Sequence, residues 1–254
     1  MHRLTDIAVV RDGRTVLQID EMAIAPDRLT VVLGHNGSGK STLVKLLAHQ
    51  IAPSRGQVSW KGRAVSDYSK KALAREIAYL PQTLPEVAGL NVEELVRLGR
   101  FPWRGTLAPW TADDERQINA ALQQTNMQTL AKAMADELSG GERQRAWIAM
   151  LIAQQSDLLI LDEPTSALDV QYQIQVMELL SKLNRETGKG IIIILHDLNL
   201  ALRYAQHIIA LKKGRVVHHG DAETVLTEPN LSSLYDTEIR LIKHPDQPRK
   251  VIVL

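Results

Sequence analysis

Residues 34–41 read GHNGSGKS and satisfy G-x-x-x-x-G-K-[ST] at every position. No other segment restricts the fold so much. A loop that wraps backbone N–H groups around phosphate oxygens must be entered from a strand and left through a helix. The free N–H groups and positive end of that helix then face the anion. The flanks meet this demand: LTVVL (29–33) is a short β-branched-rich run, and Lys40–His49 favours helix. Gly34, Gly37 and Gly39 let the backbone bend and approach closely. Lys40 is placed to reach the β- and γ-phosphates of a nucleoside triphosphate, and the Ser41 hydroxyl to ligate Mg²⁺. His35, Asn36, Ser38 and Thr42 complete the expected nucleotide-binding set. A chance glycine turn is the alternative, and the strand–loop–helix context argues against it.

Two later runs, Asp157–Leu161 (DLLIL) and Gly190–Leu195 (GIIIIL), are apolar without alternation. Such runs suit parallel strands buried on both faces. Each ends in polar residues, Asp162-Glu163 and His196-Asp197. Ligands of open α/β sheets gather at the carboxyl ends of strands, so three strand ends direct chemistry at one place. An aspartate at position 162 can hold Mg²⁺, and Glu163 beside it can polarise a water for attack on a phosphate. Alone, the pair would read as an acidic helix start; the lysine loop upstream favours the catalytic reading. His196 is similarly weighed between a structural histidine and one that touches the γ-phosphate or the attacking water.

The rest of the chain organises around this core. Between about 84 and 155 strand signals give way to helix signals, with Asn91/Glu94 and Thr111/Asp114 spaced as capping boxes. This predicts a helical insertion. The segment 207–220, HIIALKKGRVVHHG, predicts a hairpin. The tail suggests a strand at Ile239–Lys243, a turn at HPDQP and a further strand at VIVL. The expected organisation is a single α/β domain over 1–254. Its core lies at about 1–83 and 156–225, its helical subdomain at about 84–155, and a β-rich tail at about 226–254.

Composition excludes other classes. There is no cysteine, which rules out disulfides and thiolate metal sites. A net charge of +1 gives no reason to expect nucleic acid. No apolar run approaches the roughly 18 residues of a membrane span, and the N-terminus lacks the apolar core of a secretory signal. Any membrane role must come through a partner.

Residues 137–145, ELSGGERQR, pose a separate question. Ser139, Gly140 and Gly141 offer a hydroxyl and backbone N–H groups at a helix start, yet carry no cation or metal ligand. Together with GHNGSGKS, Gln82 in AYLPQ, LLILDE (158–163), SALD (166–169) and His196 in LHD, this order of motifs resembles the nucleotide-binding subunits of ATP-binding-cassette (ABC) transporters. The likeness covers nearly the whole chain. It implies a P-loop NTPase core with a mainly parallel sheet, antiparallel β elements and an inserted α-helical subdomain.

By that resemblance Glu163 is the general base and His196 the γ-phosphate switch. Gln82 contacts Mg²⁺ or the attacking water, and Ser41, Gln82 and Asp162 form the metal set. Asp169 crosses a subunit interface. Ser139, Gly140, Gly141 and Glu142 of one chain close over the ATP of another, so the working form is a homodimer of ATPase subunits.

The sequence departs from this family where an aromatic ring usually stacks on adenine: the first 59 residues contain no Phe, Tyr or Trp. Arg11 aligns near that position, and stacking on the base and a solvated turn arginine remain equal readings. Phe101, Trp103 and Trp110 fall within ten residues of an aromatic-poor chain, as a local mini-core or a docking surface. The pattern GRFPW resembles importers of iron chelates and cobalamin, and AYLPQ, GRFPW, SGGERQRAWIAM, DEPTSALD and LHDLN together most resemble the ATPases of ferric hydroxamate siderophore uptake. The resemblance implies that Phe101, Pro102 and Trp103 receive an integral membrane permease at the cytoplasmic face of the inner membrane. A periplasmic or surface substrate-binding protein would be an indirect partner. Haem or cobalamin importers and a soluble, non-transport ABC ATPase are the alternatives. Soluble ABC ATPases usually carry two cassettes or a coiled-coil insertion, while this chain has one lysine loop and no heptad run.

Overall fold

The computed structural model describes residues 1–104, 108–166, 168–243 and 250–253. Its main sheet contains β1 (His2–Arg11), β2 (Arg14–Ile24), β3 (Leu29–Leu33), β4 (Arg55–Trp60), β5 (Arg63–Ala64), β6 (Ile77–Leu80), β7 (Leu158–Leu161), β8 (Gly190–Ile194), β9 (His207–Lys212) and β10 (Arg215–Asp221). Their spatial order is β5-β4-β1-β2-β10-β9-β3-β8-β7-β6. The half from β9 to β6 is parallel, with Val31 opposite Ile193 and Leu159 opposite Ile191. The other half is built from antiparallel pairs and is joined through a parallel contact of β10 with β2 at Arg215 and Gln18.

The unalternating apolar runs have a direct cause. Leu29, Val31 and Leu33 of β3 and Ile191 and Ile193 of β8 enter one core cluster. Val32, Ile192 and Ile194 enter the other. Successive side chains point to opposite faces of a strand, and here both faces are covered, so apolar residues run without alternation, with the buried Thr30 of β3 as the polar exception. Burying each such side chain stabilises the fold by about 1.5–3 kcal/mol.

Helices α1 (Lys40–Leu47) and α2 (Lys70–Glu76) accompany the N-terminal half. The predicted insertion consists of α3 (Val92–Leu98), α4 (Ala112–Gln124), α5 (Gly140–Ala153) and short 3₁₀ turns. Asn91 caps α3 and Thr111 caps α4, each in a reciprocal box with Glu94 or Asp114. Inside this subdomain the buried Arg100 guanidinium donates to Asp114 Oδ1 at 2.9 Å and to the Ala153 carbonyl at 3.0 Å, tying α3 to α4 and α5. A buried charge is tolerated when it is paired and hydrogen-bonded in this way.

Helices α6 (Val170–Thr187) and α7 (Leu198–Tyr204) follow β7 and β8. The hairpin expected over 207–220 forms as β9 and β10. The tail differs from a β-rich segment. After α8 (Ala222–Val225) it continues as α9 (Glu228–Tyr235), which buries Leu231 and Leu234. Glu-Pro in the first turn explains the helix, because Pro is tolerated where no N–H partner is needed. Strands β11 (Arg240–Lys243) and β12 (Lys250–Val253) then pair antiparallel. The HPDQP turn between them, Leu254, Gly105 of the aromatic segment and Ala167 of SALD lie outside the described residues.

Candidate functional site

Four neighbouring strands end at one edge. The lysine loop follows β3, His196 follows β8, Asp162 and Glu163 follow β7, and Gln82 follows β6, in the spatial order β3-β8-β7-β6. The parallel register brings residues 40, 196, 162–163 and 82 together although 156 positions separate the first from the last in sequence.

The loop itself is shaped by glycine where the chain passes closest to its neighbours. Gly34 has φ 144°, and a β-carbon there would stand 2.2 Å from the Leu211 carbonyl oxygen. Gly39 opens α1 at φ 103° with no side-chain cap, so the first N–H groups of the helix stay available to an anion. The Lys40 ammonium, on a side chain only 5% exposed, donates to the carbonyls of Gly34 at 2.9 Å and His35 at 3.0 Å. Burial lowers its pKa from the ordinary lysine value, while Glu163 and Asp162 oppose the shift. A desolvated cation held by neutral carbonyls is ready to exchange them for phosphate oxygens.

Ser41 Oγ donates to Asp162 Oδ1 at 3.1 Å, and the Tyr79 hydroxyl donates to Oδ2 at 3.4 Å. Burial raises the Asp162 pKa, with the hydrogen bond from Ser41 working against it. Hydroxyl, carboxylate and the nearby Gln82 amide are hard oxygen donors of the kind Mg²⁺ takes. Glu163 is the hub of the opposite wall: its Oε1 meets His196 Nε2 at 2.8 Å, and its Oε2 accepts from Gln82 Nε2 at 2.6 Å. Its backbone stands at φ 53°, a left-handed conformation that costs a non-glycine residue about 1–3 kcal/mol.

An open cleft lined by Val16, Asn36, Gly37, Gly39, Lys40, Ser41, Thr42, Gln82, Glu163 and His196 joins these groups. Ser38 is buried beneath the loop, and His35 is exposed at its rim. Arg11 stands exposed at the end of β1, paired with Arg14, and does not line the cleft; Val16 does. Sequence reasoning missed both Val16 and Tyr79. The only signal for Tyr79 was a polar hydroxyl in the strand IAYL.

Ser139 N-caps the 14-residue helix α5 in a capping box. Its Oγ donates to Glu142 Oε2 at 2.6 Å, and its N–H to the same oxygen at 3.0 Å. The hydrogen bond from the Ser139 hydroxyl lowers the Glu142 pKa. Gly141 packs under Tyr172, whose ring would stand 3.1 Å from an added β-carbon. Asp169 N-caps α6 by accepting from the Tyr172 N–H at 3.1 Å. None of Ser139, Gly140, Gly141 and Glu142 lines the lysine-loop cleft; Gly140 borders a neighbouring hollow with Gln82, Glu163 and Gln144.

The aromatic segment forms a 3₁₀ turn over Phe101–Trp103. Phe101 is 55% exposed and Trp103 is 41% exposed. Trp103 is nevertheless anchored: its indole N–H donates to the Gln154 carbonyl at 2.6 Å, and the Arg75 guanidinium lies 5.1 Å from its ring centroid. Arg75 also donates to the Pro102 carbonyl at 2.8 Å. No helix among the described residues is long and apolar enough to cross a membrane.

Comparison with known proteins fits this geometry. A family model described as ABC transporter matches residues 17–166. The achromobactin transport ATP-binding protein of Dickeya dadantii is 40% identical over 92% of this chain and 87% of its own length. The ferric enterobactin transport ATP-binding protein of Escherichia coli is 40% identical over 91% of this chain and 85% of its own. The iron(3+)-hydroxamate import ATP-binding protein of Bacillus subtilis is 39% identical over 91% and 86%. Among solved structures, an inward-facing transporter described as of metal-chelate type superposes with TM-score 0.86 at 27% identity, over 99% of this chain and 96% of that one. A dimeric ATP-binding cassette in a post-hydrolysis state, bound to ADP and phosphate, superposes with TM-score 0.78 at 28% identity, over 87% and 99%.

Proposed function

The chain belongs to the ABC transporter family, and from that premise we propose that it is the ATP-hydrolysing subunit of an importer for an iron(III)–siderophore complex. The observation that supports this most is the meeting of Lys40, Asp162, Glu163, His196 and Gln82 at adjacent strand ends, in a chain about 40% identical to ATP-binding proteins of siderophore transport. Those relatives serve achromobactin, enterobactin and hydroxamates at nearly equal identity. A hydroxamate cargo is the finer reading, resting on the likeness of AYLPQ, GRFPW, SGGERQRAWIAM, DEPTSALD and LHDLN taken together. A subunit that does not touch its cargo bears little imprint of it.

In the proposed mechanism the loop N–H groups and Lys40 neutralise the β- and γ-phosphates. Glu163 accepts the proton of the attacking water, and His196 and Gln82 fix that water and the γ-phosphate between them. Phosphoryl transfer needs little covalent help, so positioning and electrostatics supply the rate. Ser41, Asp162 and Gln82 would hold Mg²⁺, which supplies charge neutralisation between the phosphates. Ser139, Gly140, Gly141 and Glu142 act on the ATP of a second copy, with Asp169 at that interface. Phe101, Pro102 and Trp103 dock the permease, which holds the subunit at the cytoplasmic face of the membrane; a substrate-binding protein on the far side completes the importer.

Co-purification of the tagged chain from membranes, with mass spectrometry of what accompanies it, tests the assignment. A polytopic permease supports it. Recovery of the chain with cytosolic proteins and no membrane component favours the soluble ABC ATPase.

A further inference from the structure

Helix α9 ends against the lysine loop, a contact that the mechanism above does not use. Lys212 on β9 fastens that end by donating to Asp236 Oδ1 at 2.6 Å and to the Ser233 carbonyl at 2.5 Å. Leu231 and Leu234 bury the helix in the core cluster that also contains Leu33. This clamp sets the Tyr235 ring edge-on to His35, with centroids 5.1 Å apart and planes at 66°. An edge-on pair at this distance is an attractive geometry. Burial pushes the Tyr235 hydroxyl up to about 12, opposed by a hydrogen bond from the Gly34 backbone. The phenol is therefore neutral at physiological pH and adds no charge against a phosphate.

Gly34 and His35, the two loop residues that Tyr235 meets, are the two whose carbonyls hold Lys40 Nζ. The segment behind Tyr235 also reaches the other flank of the cleft. The Ile252 N–H on β12 donates to Asn199 Oδ1 at 2.8 Å, on the helix that begins two residues after His196. One C-terminal segment thus touches both the loop that would bind phosphate and the helix behind the switch histidine.

We propose that Tyr235 is a positioning residue for ATP binding, holding Gly34 and His35 so that their carbonyls keep the Lys40 ammonium at the phosphate site. This rests on the reading of the lysine loop as the ATP site. A loop that must be ordered by the nucleotide binds it more weakly than one already ordered, so loss of the contact appears in KM.

Steady-state hydrolysis of Mg²⁺-ATP by the full chain and its variants tests this. Tyr235→Leu keeps buried bulk and removes the ring and hydroxyl; it should raise KM about fivefold, the scale of a lost aromatic pair, with kcat within about twofold. Tyr235→Phe should restore most of the affinity. Leu231→Ala weakens the same helix without touching the loop, and should lower the melting temperature with KM unchanged. A wild-type KM in Tyr235→Leu overturns the proposal, as does a rise in Leu231→Ala equal to that in Tyr235→Leu. A wild-type chain that binds no ATP by calorimetry overturns the ATPase reading instead; wild-type binding with indifferent Tyr235 variants overturns only this assignment.

Discussion

His196 Nε2 stands 2.8 Å from Glu163 Oε1. The other carboxylate oxygen accepts from Gln82, so the carboxylate proposed to activate water is held from both sides by the two residues that flank it. Glu163→Gln keeps the shape but turns one acceptor oxygen into an N–H donor, and it cannot take a proton. Single-turnover hydrolysis should fall by about 10²–10⁴, while the Kd for ATP measured by calorimetry stays within a few fold. Hydrolysis near the wild-type rate would remove Glu163 from the role of base.

Lys40 is the cation of the proposed phosphate cradle, buried and held by two loop carbonyls. A hydrogen bond to a charged group contributes about 1.5–3 kcal/mol, and each 1.4 kcal/mol is roughly tenfold in affinity. Lys40→Ala should therefore weaken Mg²⁺-ATP binding about ten- to a hundredfold by calorimetry. Unchanged affinity would mean that the loop does not bind the triphosphate.

Phe101 and Trp103 share one short turn but should respond differently. Phe101 is more than half exposed, so Phe101→Ala should change stability by no more than about 0.5 kcal/mol and leave ATPase activity intact while abolishing uptake in cells. Trp103→Ala also loses the bond to the Gln154 carbonyl, and should cost an additional ~1 kcal/mol in denaturant unfolding. Normal siderophore uptake by a folded Phe101→Ala protein would rule out the docking role.

The stability of the fold should fall in mild acid. His2 is buried beside Trp60, with its ring centroid 4.8 Å from that of Trp60, and Nε2 bonded to the Leu47 carbonyl. Burial lowers its pKa from 6.5 to about 3. Between those values the unfolded chain binds the proton that the folded chain refuses. Stability is therefore full above pH 6.5 and is lost as pH falls toward 3, at up to about 1.4 kcal/mol per pH unit for this group. His207, lowered to about 4 mainly by burial, acts with the same sign. Denaturant midpoints at pH 7.5, 6 and 5 should decline, and His2→Gln should flatten the decline. An identical decline in His2→Gln would exclude His2 as the titrating group.

What could be read in the sequence was local or periodic. GHNGSGKS, the apolar runs ending in Asp162-Glu163 and His196, and the Asn91 and Thr111 capping boxes each carry their own signal within a few residues. The parallel core and the helical insertion followed from them. Helix α9 was not legible, since EPNLSSLY is short and its apolar residues Leu231 and Leu234 are covered only through tertiary packing in the core. Nor was the contact of Tyr235 with His35, which joins positions 200 apart through tertiary packing alone. Spacing alone also leaves Arg11 between its two readings: it stands at the exposed end of β1, while Val16 lines the cleft.

The central claim is that a lysine-free loop of one chain completes the ATP site of another. Mixing two inactive variants tests it directly. Lys40→Ala spoils the phosphate cradle, and Ser139→Arg blocks the start of α5, where the serine hydroxyl now rests on Glu142. If sites are composite, each mixed dimer keeps one intact site, formed by Lys40 of one chain and Ser139 of the other. An equimolar mixture should then recover about a quarter of the wild-type ATPase rate, given random pairing in a two-fold dimer. A mixture as inactive as its two components would show that each chain completes its own site, and would contradict the account.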